Sequence, residues 1–170
     1  MKILVVSFVL FLSIGMTLAQ DTSKVDSYKI AFFSKDATGV FQEMQGNIVT
    51  KDKGVPVVFD LTIDVSSINT SNGVQNKHAK SSDWFHAEKY PNIIFKSSEV
   101  FTNEEGVFAK GNLLLHGVSK EITIPIEVSE NDTKFVYKAK FNVDRKEYEL
   151  GPDSKVSPSI KIIAAVTIKK

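Results

Sequence analysis

From Val55 to Ser66 the chain changes character at every step. Val55, Val57, Phe59, Leu61, Ile63 and Val65 alternate with Pro56, Val58, Asp60, Thr62, Asp64 and Ser66. A two-residue period puts the first set on one face of a β-strand and the second on the other, one face buried and one wet. A helix cannot use this pattern, because its apolar stripe needs a period near 3.6. The same period recurs downstream. Ile122, Ile124, Ile126 and Val128 alternate with Glu121, Thr123, Pro125 and Glu127. Phe135, Tyr137, Ala139, Phe141 and Val143 alternate with Lys134, Val136, Lys138, Lys140 and Asn142. Val107, Ala109, Gly111, Leu113 and Leu115 share a face, as do Ile160, Ile162, Ala164, Val166 and Ile168.

With the looser segments Val25–Phe33, Phe41–Lys51 and Asn92–Phe101, these stretches predict eight strands. Short polar turns separate most of them, among them Asp52-Lys53-Gly54, Asn103-Glu104-Glu105-Gly106, His116-Gly117 and Glu130-Asn131-Asp132. Gly46 inside the second strand marks a bulge or a bend where a barrel turns a corner. Such a series means a sandwich or a barrel. Strands of about ten residues suit a tall tube, eight of them close at a diameter that just holds one small ligand, and closure removes exposed edges. The expected fold is all-β, an extended eight-stranded antiparallel β-barrel.

Ser67 to Pro91, between the third and fourth strands, breaks the pattern. It holds the only Trp, Trp84, and two of the three His, His78 and His86. Connections of about 25 residues carry structure of their own or a function. This one is expected to lay a short helix and an aromatic turn across one end of the barrel.

The chain starts with Met1-Lys2, an apolar run from Ile3 to Leu12 and small residues up to Ala19. That order reads as a secretory signal peptide over residues 1–19, cleaved after Ala19, with one domain over 20–170. The apolar stretch is at the lower limit for a membrane span and lacks a basic stop-transfer flank. Loss of Lys2 leaves 20 basic against 20 acidic side chains. That balance argues against nucleic acid or an anionic membrane surface as the main partner. An exported chain with zero Cys has no disulfide framework and no thiol chemistry.

Catalytic signatures are weak. His78, His86 and His116 fall in no metal-ligand spacing. No Gly-x-Ser-x-Gly elbow or phosphate loop is present. Asp60 and Asp64 lie on the wet face of their strand, and Lys134, Lys138 and Lys140 face away from the aromatics between them. What remains is a surplus of inward apolar groups. A barrel can fill itself with them or leave a dry tunnel, and the pattern alone leaves both open.

Several stretches together resemble the YceI-like family. They are Ser67-Ile68-Asn69-Thr70, His78, Ser82-Asp83-Trp84-Phe85 and Lys89-Tyr90-Pro91-Asn92-Ile93-Ile94-Phe95-Lys96-Ser97. Two more are Gly111-Asn112-Leu113-Leu114-Leu115-His116-Gly117-Val118-Ser119-Lys120 and Phe141-Asn142-Val143-Asp144-Arg145-Lys146-Glu147-Tyr148. Gln75-Asn76-Lys77 before His78 and Ala79 after it depart from the family's Arg-Asp and Leu. The resemblance implies a lipocalin-like barrel, exported to the periplasm, that holds an isoprenoid or other long apolar chain for transport or storage.

On that implication Phe59, Leu61, Ile63, Leu113, Leu115, Ile124, Phe135, Tyr137, Phe141 and Ile162 line the tunnel. His78, Trp84 and Phe85 shape one mouth. No catalytic residue, cofactor or metal is expected, and the chain is read as a non-enzyme. Pairing of two copies is compatible with the resemblance, although the sequence offers no interface. The alternative is a non-carrier on the same barrel, either a stress-related module or a metal- or redox-associated accessory.

Overall fold

The computed structural model describes residues 20–52, 54–153 and 156–170. The segment read as a signal peptide, Met1–Ala19, lies outside the described residues, as does Lys53 of the Asp52-Lys53-Gly54 turn. Among the described residues, eleven strands form one antiparallel sheet. They are β1 (Asp21–Lys24), β2 (Ser27–Phe33), β3 (Thr38–Phe41), β4 (Met44–Lys51), β5 (Val55–Asp64), β6 (Ile68–Asn69), β7 (Asn92–Asn103), β8 (Gly106–Leu115), β9 (Val118–Glu130), β10 (Lys134–Asp144) and β11 (Ser159–Lys169). Helix α1 (Gly73–Lys80) follows β6, and single 3-10 turns span Val65–Ser67 and Arg145–Tyr148.

Eleven strands replace the expected eight because two wall segments are interrupted midway and one short strand is added. The first breaks at Val25-Asp26. Its first half, β1, pairs with β4, and its second half, β2, pairs with β3 in the same register and with β11 on its other side. At the break the Val25 N–H donates to the Gly46 carbonyl at 3.0 Å and the Asp26 N–H to the Thr167 carbonyl at 2.8 Å. One segment therefore bridges the two ends of the curled sheet. The second segment breaks at Gln42-Glu43, into β3 on β2 and β4 between β1 and β5. The two-residue β6 adds a patch to β3. Eight wall segments remain.

Gly46 sits at this corner. It pairs in register with Leu61, so it is a bend and not a bulge. A Cβ there would run into the Asp60 carbonyl and Leu61, which explains the glycine. The bulge lies further along, where Val49 pairs with Val58 and Thr50 with Pro56, leaving Val57 unpaired. An extra residue inverts the phase beyond it. Val55, expected inside, is 45% exposed, and Pro56 is buried in its place.

A second irregularity falls between Ser97 and Glu99 on β7. Gly111 of β8 stands opposite Ser97, and a Cβ there would collide with the Lys96 carbonyl and the Ser97 Cα. The buried Ser97 hydroxyl accepts the Phe59 N–H at 2.8 Å, just past the last β5–β7 pair, Asp60 with Lys96.

The alternating rows point inward as the period predicts. Ala109, Leu113, Leu115, Ile124, Tyr137, Val143, Val166 and Ile168 are buried. One end is packed solid around Ile48, Ala109 and Ile168, each at most 1% exposed. Outside that end, Asp26 pairs with Lys134 at 2.6 Å and Lys169 at 3.4 Å. The hydrogen bond from Lys134, helped by Lys169, holds the Asp26 carboxyl below the usual carboxylate range.

Ser97→Ala removes the acceptor from the buried Phe59 N–H. The expected loss is about 1–3 kcal/mol, read as a lower urea midpoint with an unchanged slope. An unchanged midpoint would show that the bond contributes nothing.

Candidate functional site

Above the packed end the barrel axis is hollow. The space measures about 440 Å³, within the roughly 300–1,000 Å³ of pockets that enclose small ligands. Ile30, Phe32, Phe41, Met44, Phe59, Leu61, Ile63, Ile93, Phe95, Leu113, Leu115, Ile124, Ile126, Tyr137, Phe141, Val143, Ile160 and Ile162 form its wall. Polar side chains gather at one end, where Ser34, Asp36, Thr70, Gln75, His78 and Arg145 border it. Lys138 also borders it, but its ammonium points out to Glu127 at 3.5 Å.

The floor is aromatic. The Phe59 and Tyr137 rings meet edge to face at 5.6 Å, and the Tyr137 hydroxyl donates to the Gly54 carbonyl at 2.8 Å. Burial pushes the Tyr137 phenol up to about 12, because an ionised oxygen there would lose its water.

The opposite end is roofed by the insert. Asn72 caps α1, accepting the N–H groups of Val74 at 3.0 Å and Gln75 at 3.1 Å. Lys77 and Lys80 lie in the last turn, where positive charge suits the helix dipole. The Asn76 side chain fixes the incoming loop by accepting from the Thr70 N–H at 2.8 Å and hydroxyl at 2.7 Å. Phe85 packs edge to face on Phe41 at 5.9 Å. Trp84 Nε1–H donates to His78 Nε2 at 2.8 Å. His78 Nε2 therefore carries no proton.

Arg145 ties this roof to the barrel. It is 1% exposed, and its partners are carbonyls. Nε donates to Ser157 at 3.2 Å, one terminal nitrogen to Leu150 at 2.9 Å and Pro152 at 3.1 Å, and the other to Val156 at 3.0 Å. The guanidinium carbon lies 5.3 Å from the centre of the Trp84 ring, within cation–π range. Gly151 fits against the Trp84 ring, where a Cβ would collide with the indole. The Asp36 carboxylate accepts the Ser157 N–H at 2.8 Å, which joins the β2–β3 loop to the same assembly. Three loops are thereby held as one rim.

The remaining histidines have packing partners. His116 meets the Tyr90 ring at 4.7 Å, its Nδ1 is 3.3 Å from the Tyr148 carbonyl, and His86 meets the same Tyr90 ring at 5.9 Å. Among the described residues no group of three His, Cys, Asp or Glu is placed to hold a metal ion.

The structure brings Phe59, Leu61, Ile63, Leu113, Leu115, Ile124, Tyr137, Phe141 and Ile162 to the hollow, with His78, Trp84 and Phe85 at its rim. Phe135 does not reach it. Its phase is inward, but it lies one inward position beyond the Tyr137 floor, packed on Gly54 and under the Lys170 ammonium at 5.2 Å. The expected tunnel is thus a blind pocket. Sequence reasoning missed Arg145, although a signal was present. The inward phase Phe135, Tyr137, Ala139, Phe141, Val143 continues onto Arg145, and a charge at a buried position calls for a dedicated set of partners. Phe32 and Phe41 were also missed, because their strands alternate loosely.

The class is an antiparallel β-barrel enclosing an apolar pocket. The chain belongs to the YceI-like family, whose domain matches residues 16–168. It is 28% identical over 136 residues to a UPF0312 protein of Yersinia enterocolitica, covering 75% of this chain and 71% of that one. Its fold is similar to that of BcnA from Burkholderia cenocepacia, with a TM-score of 0.75 and 22% identity over 82% of this chain and 95% of that one. It also resembles a polyisoprenoid binding domain from Saccharophagus degradans implicated in plant cell wall breakdown. There the TM-score is 0.66, with 17% identity over 90% of this chain and 99% of that one.

Two outcomes follow. Arg145→Met leaves at least four carbonyls without their donor and is expected to cost about 3–5 kcal/mol. Arg145→Lys recovers only part of this, because one ammonium cannot reproduce the fork. Thermal melts of both variants check it. For Tyr137, the phenol ionises near 10 unfolded and near 12 folded. Its contribution is complete below pH 10 and lost as pH rises towards 12. Tyr137→Phe should flatten that alkaline decline in denaturation measurements.

Proposed function

We propose that this chain is an exported, periplasmic binding protein that holds an isoprenoid or other long apolar chain inside the barrel, for transport or storage. One observation carries the reading: the strand wall of the pocket is apolar throughout, and the polar groups sit together at its rim. Such a site rewards a chain with one polar end. The family and the fold similarity to a polyisoprenoid binding domain favour binding over catalysis. The similarity in fold to a polyisoprenoid binding domain supports the same ligand class.

Transfer of each methylene from water contributes about 0.8 kcal/mol. A buried chain of about 15 methylenes gains roughly 12 kcal/mol before association and ordering costs. The affinity should therefore rise with chain length until the pocket is full, by roughly fourfold per methylene. Trp84, the only Trp, borders the pocket and reports its occupancy by fluorescence.

Organic extraction of purified native protein followed by mass spectrometry tests the proposal. Recovery of a long-chain lipid is expected, and a clean extract from an isoprenoid-rich host would overturn it. Leu113→Trp, which fills the middle of the pocket, should cut retained lipid by about tenfold or more while the fold persists.

A further inference from the structure

β9 and β10 part company halfway along. They pair from Phe135 with Glu130 to Ala139 with Ile126 and no further, although β9 runs back to Val118 and β10 on to Asp144. The ladder stops where Pro125 would come next. Pro125 already stands opposite Phe108 of β8. In an antiparallel ladder a residue points its N–H to one neighbour only, and proline has none to give. A pair formed without the proline N–H is a non-hydrogen-bonded one on the β8 side, so the donor that Pro125 lacks is the one facing β10, and the seam opens at the residue that cannot continue it.

The open seam leads into the pocket. Ile124 on one edge, and Phe141 and Val143 on the other, border the hollow. A second seam, between β5 and β7, is also unpaired beyond Asp60 and Lys96. That one faces the packed end, and the Ser97 hydroxyl closes its start. The rim is no easy path either, because Arg145, Asp36 and the Trp84–His78 bond lock its loops together. At its upper end the β9–β10 seam is spanned by the exposed Lys120–Glu147 pair at 3.5 Å. Solvent-exposed pairs of that kind part readily.

We infer that the seam between β9 and β10 is the entrance of the pocket. A flexible apolar chain passes sideways between the two strands, not end-on past Trp84. The inference rests on the reading of the pocket as a chain-binding site. It adds the route, and it requires a ligand thin and flexible enough to be laid in from the side.

The native chain has zero Cys, so thiols can be placed at will. Thr123 and Asn142 are exposed and would face each other if the ladder ran on. Thr123→Cys with Asn142→Cys, joined by a bismaleimide, ties the seam shut. Pro125→Val restores the missing donor and lets the ladder extend. The readout is transfer of geranylgeraniol between the protein and phosphatidylcholine vesicles, followed through Trp84 emission. Cross-linking is expected to slow loading and release by about tenfold or more at unchanged equilibrium occupancy, as expected when gating sets the rate. Pro125→Val should slow both in the same direction, and the two single-cysteine variants should behave as the native chain. Unchanged rates in the cross-linked protein, with geranylgeraniol still bound, would overturn the entrance alone. Absence of any geranylgeraniol binding by the native chain would overturn the binding-site reading, and the entrance with it.

Discussion

A protein interior normally closes on itself, because empty space forfeits dispersion contacts on every side. This barrel keeps a pocket open because its wall is held from outside the pocket. Backbone ladders run around the ring, and the first segment closes it by pairing with β4 and β3 on one side and with β11 on the other. The side chains facing the axis are spared the task of holding the wall together. At the packed end they still meet, around Ile48 and Ile168. Above the Phe59–Tyr137 floor they line a space instead.

The rim uses a different device. Burying a guanidinium is costly unless every donor finds an acceptor. Arg145 meets this need with backbone carbonyls drawn from the loop between residues 150 and 157 and with the Trp84 face. One side chain thereby orders a loop that has little apolar surface of its own. The same Trp84 holds His78 of α1. A single chain of contacts runs from β10 through Arg145 and Trp84 to the helix, and it fixes which polar groups edge the pocket.

Much of this was legible. The two-residue period in β5, β8, β9, β10 and β11 named the inward rows, and twelve of the thirteen residues expected at the site border the pocket or its rim. The insert's helix was legible from its length and polarity, and His116-Gly117 turns the chain as expected, with positive φ at both residues. The errors share a cause. Phase tells which face a residue takes, but not how far along the axis it lies, so Phe135 was placed in the pocket when it sits beneath the floor. Val55 failed because an unpaired Val57 shifts the phase, and a bulge leaves no mark in an otherwise perfect alternation.

By itself the sequence determined the class of fold, the inward faces and the family, because these depend on local periodicity and on short motifs read along the chain. Tertiary structure alone decided that the axis is hollow above and filled below, that Arg145 is buried among carbonyls, and that β9 and β10 separate at Pro125. Each of these depends on which residues face one another across the barrel. That is set by strand register and shear, properties of the closed ring that no single strand encodes.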